Sequence, residues 1–222
     1  MKKKSVLEIG LPLLLLVGVT VLLQESGADL GFEARFYNGG GLGGWEYLFK
    51  QPWAFIYEYA WVPAAALTVT AFAALAMRRY RRMGLFVVLF LALGPGLLVN
   101  LVFKEHWGRP RPKEMIQYDG SYRYHKVWQP GAAKGNSSFP SGHAAIGFFM
   151  MAPYFILRRR QTGWALVWLV GGTVAGGLVG YARMGQGGHF ATDVIWSWGF
   201  VYFSGLALAP FFDFNGNGRH GA

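Results

Sequence analysis

Six long apolar stretches constrain the fold of this chain more than any other feature of its sequence. They run approximately over residues 6–23, 53–77, 84–103, 139–157, 164–182 and 192–212. A helix of about 20 mostly apolar residues spans the roughly 30 Å hydrocarbon core of a bilayer. The stretches are too long for barrel strands, and lipid offers no partner to an unpaired backbone group. The sequence therefore predicts an all-α polytopic membrane protein with a bundle of six transmembrane helices.

The composition favours the same fold class. Apolar residues make up 53% of the 222 residues and charged residues 14%, more apolar surface than a soluble domain of this length could bury. No linker or repeat divides the chain, so we expect one integral membrane domain over residues 1–222. The absence of cysteine excludes disulfides, thiolate zinc sites and a cysteine nucleophile.

The basic residues predict which helix ends face the cytoplasm. One set of ends carries eleven basic residues and only two acidic ones, Glu8 and Asp213, whereas the other set carries ten basic and nine acidic residues. The basic set consists of Lys2, Lys3, Lys4, Arg78, Arg79, Arg81, Arg82, Arg158, Arg159, Arg160 and Arg219. By the positive-inside rule, both termini are expected in the cytoplasm. Alternatively, the Lys-rich N-terminus is a cleaved signal peptide, which would leave five spans.

The formal net charge of +10 also raises the question of a nucleic-acid partner. The basic clusters are short and adjoin apolar helix ends, where such residues set topology and meet anionic lipid head groups. No nucleic-acid motif accompanies them. We therefore expect the membrane bilayer, and no nucleic acid, as the partner of these charges.

Three polar segments on the predicted outer side carry groups that suit an anion. The first, KEHWGRPRP, contains Lys104, Arg109 and Arg111, and the third contains Arg183. Arginine offers a planar fork for two hydrogen bonds and lysine a compact charge. The second segment, residues 140–143, places Ser141 and Gly142 at the start of the fourth helix, where free N–H groups and the helix dipole favour an anion. Together these groups indicate a site that handles phosphate.

Two histidines in these segments could act on a bound phosphate. His189 precedes Asp193 by four residues, so the two share a face if the sixth helix begins near His189. The Asp193 carboxylate would then accept from one imidazole nitrogen and leave the other free as a nucleophile. His143 lies at the start of the fourth helix. A zinc site made by His143, His189 and Asp193 is the competing interpretation, but Lys104, Arg111 and Arg183 would repel a dication.

The three segments resemble the signature of the type 2 phosphatidic acid phosphatase superfamily of membrane lipid phosphatases. Its first element, Lys followed seven residues later by Arg-Pro, matches Lys104, Arg111 and Pro112. Its second, Pro-Ser-Gly-His, matches residues 140–143. Its third matches Arg183, His189 and Asp193, but Ala182 stands where the family has Ser.

The resemblance implies a metal-independent phosphatase that needs no cofactor and forms a phosphohistidine intermediate. It implies that His189 is the nucleophile, with Asp193 beside it, and that His143 is the acid and base. The implied phosphate-binding residues are Lys104, Arg111, Ser141, Gly142 and Arg183.

The resemblance also implies a lipid phosphate as substrate, at the outer face of a bacterial inner membrane. The candidates are phosphatidylglycerol phosphate, phosphatidic acid, undecaprenyl diphosphate and phosphorylated lipid A. Residues 187–190, with the aromatic first loop, resemble the lipid A phosphatase branch. A lipid phosphotransferase with the same intermediate is the alternative. A transporter with a degenerate site is less expected, because the middles of the spans are almost free of charges.

The first outer loop, from Gln24 to Pro52, is followed by further aromatic residues. Its rings and those just after it include Trp45, Tyr47, Trp53 and Tyr57. Tyrosine and tryptophan prefer the membrane interface, so we expect part of this loop to lie along the surface. The loop either forms an ordinary aromatic belt or borders a lipid entrance.

Overall fold

The computed structural model describes residues 2–133, 135–212 and 214, and the side chains from Val6 onward within these ranges. The described residues form helices and no strand, so the predicted all-α class is confirmed. The α-helices are α1 (Lys2–Glu25), α2 (Ala28–Gly31), α3 (Trp53–Tyr59), α4 (Trp61–Ala76), α5 (Arg81–Leu91), α6 (Glu105–Trp107), α7 (Gly142–Phe148), α8 (Ala152–Leu157), α9 (Thr162–Gly185) and α10 (Ala191–Leu208). A π-helical segment, Ala92–Lys104, continues α5. Short 3₁₀ turns cover Glu33–Arg35, Gly41–Gly44, Pro112–Glu114, Ile116–Tyr118, Phe149–Met151 and Ala209–Phe211.

Within the described residues, five helical segments are long and apolar enough to cross a membrane: Val6–Glu25, Trp53–Ala76, Arg81–Glu114, Thr162–Gly185 and Ala191–Phe211. The fourth predicted stretch forms a shorter apolar helical segment, Gly142–Leu157. The polytopic architecture is therefore confirmed, while the count of six spans and the cytoplasmic termini stay predictions. Asp213 and Arg219, which entered the charge comparison, lie outside the described residues.

The shorter segment Gly142–Leu157 lies at the centre of the bundle. Most of its residues are buried, and it packs mainly on α9. Glycines allow this close approach: a Cβ on Gly147 would lie 2.6 Å from Cα of Gly176. Because neighbouring helices cover this segment, its length is not set by contact with lipid.

The π-helical segment delivers Lys104 to one end of the bundle. Pro95 lies within it and has no N–H to donate, which favours a departure from α-helical geometry. The Asn100 side chain adds a local bond in this segment, since its Nδ2 donates to the Pro95 carbonyl oxygen at 2.7 Å. The segment ends at Lys104, immediately before α6.

The first outer loop packs in part into the protein, and its expected position along the membrane surface stays a prediction. Phe36 and Trp45 are buried, and Asp29 and Glu33 are fully buried. The Tyr47 amide donates to the carbonyl oxygen of Gly185 at 3.1 Å.

At the opposite end of the bundle, Arg158 and Glu8 form an ion pair with an Nη1 to Oε2 distance of 3.0 Å. Both residues belong to the set of ends assigned to the cytoplasm. The pair supports the grouping of these helix ends on one side of the protein.

Candidate active site

The three polar segments meet at one end of the bundle, as the sequence predicted. A cavity of about 530 Å³ lies between α3, α4, α7 and the π-helical segment. Its lining includes Lys104 from the first segment and Gly142 and His143 from the second. Tyr57 and Asn100 also line it.

His189 is buried and has a defined tautomer. Its Nδ1 lies 2.6 Å from the carbonyl oxygen of Ser138, and a carbonyl oxygen can only accept, so Nδ1 carries the hydrogen. Its Nε2 is buried and has no hydrogen-bond partner among the described residues. A neutral imidazole in this state presents a free lone pair at Nε2, which is what a nucleophile requires.

The surroundings of His189 keep the ring neutral. Burial lowers its pKa well below the ordinary value, and the positive charges of Lys104, Arg183 and Arg111 lower the pKa further. The hydrogen bond to Ser138 acts weakly in the opposite direction. The structure thus brings together around His189 the three cations that the sequence assigned to phosphate.

Asp193 does not orient His189 directly, which corrects the expectation of a hydrogen bond between them. Its Oδ2 is 3.9 Å from Nδ1 of His189 and accepts the Phe190 amide at 2.8 Å. Its Oδ1 accepts from Nη1 of Arg109 at 2.6 Å. A buried carboxylate needs a full opposite charge, which arginine supplies and a neutral imidazole does not. Asp193 therefore fixes the start of α10, and through it the backbone beside His189.

Arg109 belongs to a buried network rather than to the phosphate-binding cations with which the sequence grouped it. Its side chain is fully buried. Besides Asp193, its Nη2 donates to Oδ2 of Asp29 at 2.8 Å, and its Nε donates to the His125 carbonyl oxygen at 2.9 Å. Asp29 in turn accepts from the amide and the hydroxyl of Thr192 at 2.9 and 2.7 Å. The network ties the first outer loop to the start of α10.

Ser141 and Gly142 open α7, as predicted, but in different roles. The fully buried Ser141 caps the helix, and its Oγ accepts from the Ala144 amide at 3.4 Å. Gly142 lines the cavity, and a Cβ there would lie 2.6 Å from Oδ1 of Asn100. The missing side chain therefore lets α7 approach the π-helical segment, with first-turn N–H groups that have no partner inside the helix.

His143 is exposed at the cavity, in contrast to His189. Its ring lies 4.8 Å from the Tyr57 ring, centroid to centroid. The guanidinium of Arg183 also lies over the Tyr57 ring, 4.5 Å from its centroid. Tyr57 thus joins the second and third segments. Sequence reasoning assigned it to an interfacial aromatic group, since nothing in its local pattern relates it to either partner.

Gln186 is a second site residue that the sequence did not single out. Its Oε1 accepts from Nη1 of Arg183 at 2.7 Å, and its Nε2 donates to the Tyr47 carbonyl oxygen at 3.3 Å. A Cβ on Gly188 would lie 2.5 Å from Nη2 of Arg183, so the glycine leaves room for the guanidinium. Ala182, in the place of the family's Ser, is fully buried in α9.

The side chain of Arg111 is held by Asn136, which lies with it in the second outer loop, approximately residues 104–139. Its Nε donates to Oδ1 and to the carbonyl oxygen of Asn136, at 3.1 and 3.2 Å. These bonds leave the two terminal nitrogens of the guanidinium available to an anion.

The zinc site considered above would need a free carboxylate oxygen of Asp193 as a ligand. Both Asp193 oxygens accept hydrogen bonds from protein donors. Within residues 2–133, 135–212 and 214, no three His, Asp or Glu side chains form a group that could hold a metal ion.

The family of the chain follows from comparison with the sequence profiles of known families. The profile of the PAP2 superfamily matches residues 84–216, more than half of the chain. The chain belongs to the PAP2 superfamily. The matched region of this PAP2 member contains the three motif segments, whereas Asp29, Glu33 and Tyr57 precede it.

Three curated relatives of this PAP2 protein are named lipid A 4′-phosphatase. The protein from Francisella tularensis subsp. novicida (strain U112) is 41% identical over 133 residues, which cover 57% of this chain and 56% of the relative. The protein from Rhizobium leguminosarum is 32% identical over 49% of this chain and 46% of its own length. The protein from Rhizobium etli is 34% identical over 49% of this chain and 41% of its own length. The chain thus spans about half the length of the curated relatives it matches. No solved structure is significantly similar to it.

Proposed function

We propose that this PAP2 protein is a lipid phosphatase that removes a phosphate monoester from lipid A through a phosphohistidine intermediate. The observation that carries the proposal is the buried, unpartnered Nε2 of His189, with the charges of Lys104, Arg111 and Arg183 around it. Three fixed cations match the charge of a phosphate monoester, and a bare imidazole nitrogen matches the electrophilic phosphorus.

In the first step, Nε2 of His189 attacks phosphorus in line with the leaving oxygen. The Nε2–P bond forms as the P–O bond to the lipid breaks. His143, which takes up a proton from water once the phosphate anion lies beside it, gives that proton to the departing oxygen. Lys104, Arg111, Arg183 and the first-turn amides of α7 hold the non-bridging oxygens. The hydrogen bond from Nδ1 to Ser138 keeps the ring oriented while it carries the phosphoryl group.

In the second step, water cleaves the intermediate. His143, now neutral, takes a proton from the water as its oxygen attacks phosphorus. The Nε2–P bond breaks, phosphate leaves, and both histidines return to their starting states. The exposure of His143 at the cavity suits this step, because water reaches it directly.

The choice of lipid A rests on the relatives, and we assign the 4′-phosphate by analogy with their name. The proposed location is the outer face of a bacterial inner membrane. The charge distribution supports this location, because the site lies at the helix ends opposite the strongly basic set.

The test is phosphate release by the purified protein in detergent from lipid A and from the three other candidate lipids. Wild type is expected to release phosphate from lipid A, and His189→Ala and His143→Ala are expected to lose at least about a hundredfold in kcat. His106→Ala is the control, because His106 is exposed and its ring bonds within its own helical turn, to the Val102 carbonyl oxygen at 2.8 Å. Undiminished turnover by both active-site variants would contradict the mechanism.

Two additions to the same assay address the competing interpretations. Labelled phosphate that appears in an acceptor lipid rather than in solution would identify a phosphotransferase. Loss of activity on treatment with a chelator, with recovery on addition of zinc, would favour the metal site.

A further inference from the structure

An apolar groove lies between α3, α4, the segment Gly142–Leu157 and α9. Its volume is about 480 Å³, and its lining is almost entirely apolar. Small residues, among them Gly147, Gly172 and Ala175, form part of it. Large side chains such as Phe55 and Trp164 border it and are exposed.

The groove begins beside the catalytic groups. Gly147, which lines it, follows His143 by one helical turn, and Val179, which also lines it, precedes Arg183 by one turn. Ala60, at the junction of α3 and α4, lines both the groove and the cavity that contains His143. The groove therefore adjoins the cavity at Ala60 and lies on its apolar side.

The dimensions of the groove suit a thin, extended occupant. Leu178 and Trp164, near its two ends, are fourteen residues apart on α9, which corresponds to about 21 Å. That length exceeds half of the roughly 30 Å hydrocarbon core, the depth that one leaflet provides.

We propose that this groove binds an acyl chain of the lipid whose phosphate lies at His189. The inference rests on the proposed function and adds a binding site for the apolar part of the substrate. A chain held there sets the depth of the head group, so that the phosphate reaches Nε2 of His189. Remote binding of this kind contributes to orientation at the reacting centre.

Gly171 and Gly177 provide a matched pair of variants for the test. Both lie on α9, and a Cβ at either position meets no heavy atom within 4 Å. Gly171 lines the groove and Gly177 does not. Gly171→Leu therefore places a larger apolar side chain in the groove, and Gly177→Leu makes the same change at a position of α9 that does not line it.

The measurement is the steady-state kinetics of both variants with lipid A and with the phosphorylated disaccharide that remains when its acyl chains are removed. We expect Gly171→Leu to raise KM for lipid A roughly tenfold, about 1.4 kcal/mol, and to leave the deacylated substrate unaffected. Gly177→Leu should match wild type on both. Unchanged kinetics of Gly171→Leu with lipid A, or an equal loss on both substrates, would overturn the proposal.

A binding experiment separates failure of the groove from failure of the phosphatase. Phosphatidic acid with a photoreactive acyl chain is added to His189→Ala, with and without Gly171→Leu. Labelling near Met150 and Trp168 that the second substitution abolishes would support the groove even if wild type released no phosphate. Labelling that Gly171→Leu leaves unchanged would overturn it.

Discussion

At the scale of single residues, the site uses the same cations for two purposes. Lys104, Arg111 and Arg183 suit the phosphate oxygens, and their charges also lower the pKa of His189. The Ser138 carbonyl fixes the hydrogen on Nδ1, so the lone pair is directed to Nε2. Neither effect depends on a carboxylate bonded to the imidazole.

The lowered pKa of His189 predicts the acid side of the pH profile. Protonation of Nε2 removes the nucleophile, so kcat/KM should stay high below pH 6.5, the ordinary histidine value, and fall only as the pH drops through the lowered pKa. Arg111→Gln removes one of the charges that lower this pKa and should move the acid limb to higher pH. Arg123→Gln, a change of an exposed arginine, is the control. An acid limb at the same pH in wild type and Arg111→Gln would contradict this account.

Glu33 predicts a pH dependence of stability. Its side chain is fully buried, and neither carboxyl oxygen has a partner among the described residues. Burial raises its pKa well above 4.5, and the charges of Asp29 and Asp193 raise it further against an opposing effect of Arg109. The stability that protonated Glu33 contributes is therefore present below pH 4.5 and is lost as the pH rises through the raised pKa.

Glu33→Gln stays uncharged, so its melting temperature should exceed that of wild type at pH 8, and the difference should vanish near pH 4.5. At this chain length, 1 kcal/mol corresponds to about 2–4 °C. Thermal unfolding in detergent across this pH range is the measurement. A lower melting temperature of Glu33→Gln at pH 8 would show that the carboxylate is stabilised in the fold.

At the scale of elements, the buried ion pairs of Arg109 join the first outer loop to the start of α10. Asp29→Asn leaves Arg109 with one carboxylate fewer in a site without solvent, and should destabilise the fold by roughly 3–5 kcal/mol. Lys126→Gln breaks a pair at the surface, in which Lys126 Nζ lies 2.7 Å from Oε1 of Glu25 at the end of α1. That change should contribute less than about 1 kcal/mol. Thermal unfolding of both variants measures the difference, and equal losses would refute the assigned role of Asp29.

The elements and the motifs were predictable to different degrees. Length and hydropathy predicted the long helices, because a backbone in lipid must satisfy its hydrogen bonds within the protein, and a helix does so within one segment. Motif spacing grouped His143, His189 and the cations, because each motif is a short segment at a helix end and its residues stay close together in the fold. The buried network was not predictable. Arg109 is 84 residues from Asp193 and 80 from Asp29, and no local pattern links them.

For the molecule as a whole, the proposed function requires that the active site face the outer side of the membrane. Because the sequence contains no cysteine, a maleimide reacts only with a cysteine that is introduced, and the side of each position can be measured directly. Ser121→Cys, in the second outer loop, should react with a membrane-impermeant maleimide in intact spheroplasts. Arg159→Cys, between α8 and α9, should react only after permeabilisation. Both positions are exposed. The reverse pattern would place the site in the cytoplasm.

The most direct test of the central claim is detection of the phosphorylated enzyme. The protein is mixed with ³²P-labelled lipid A, quenched within milliseconds in alkali, where phosphohistidine survives, and mapped by mass spectrometry. The account predicts phosphate on His189 at Nε2, absent from His189→Ala and present in His106→Ala. Phosphate on another residue, or full turnover by His189→Ala, would contradict it.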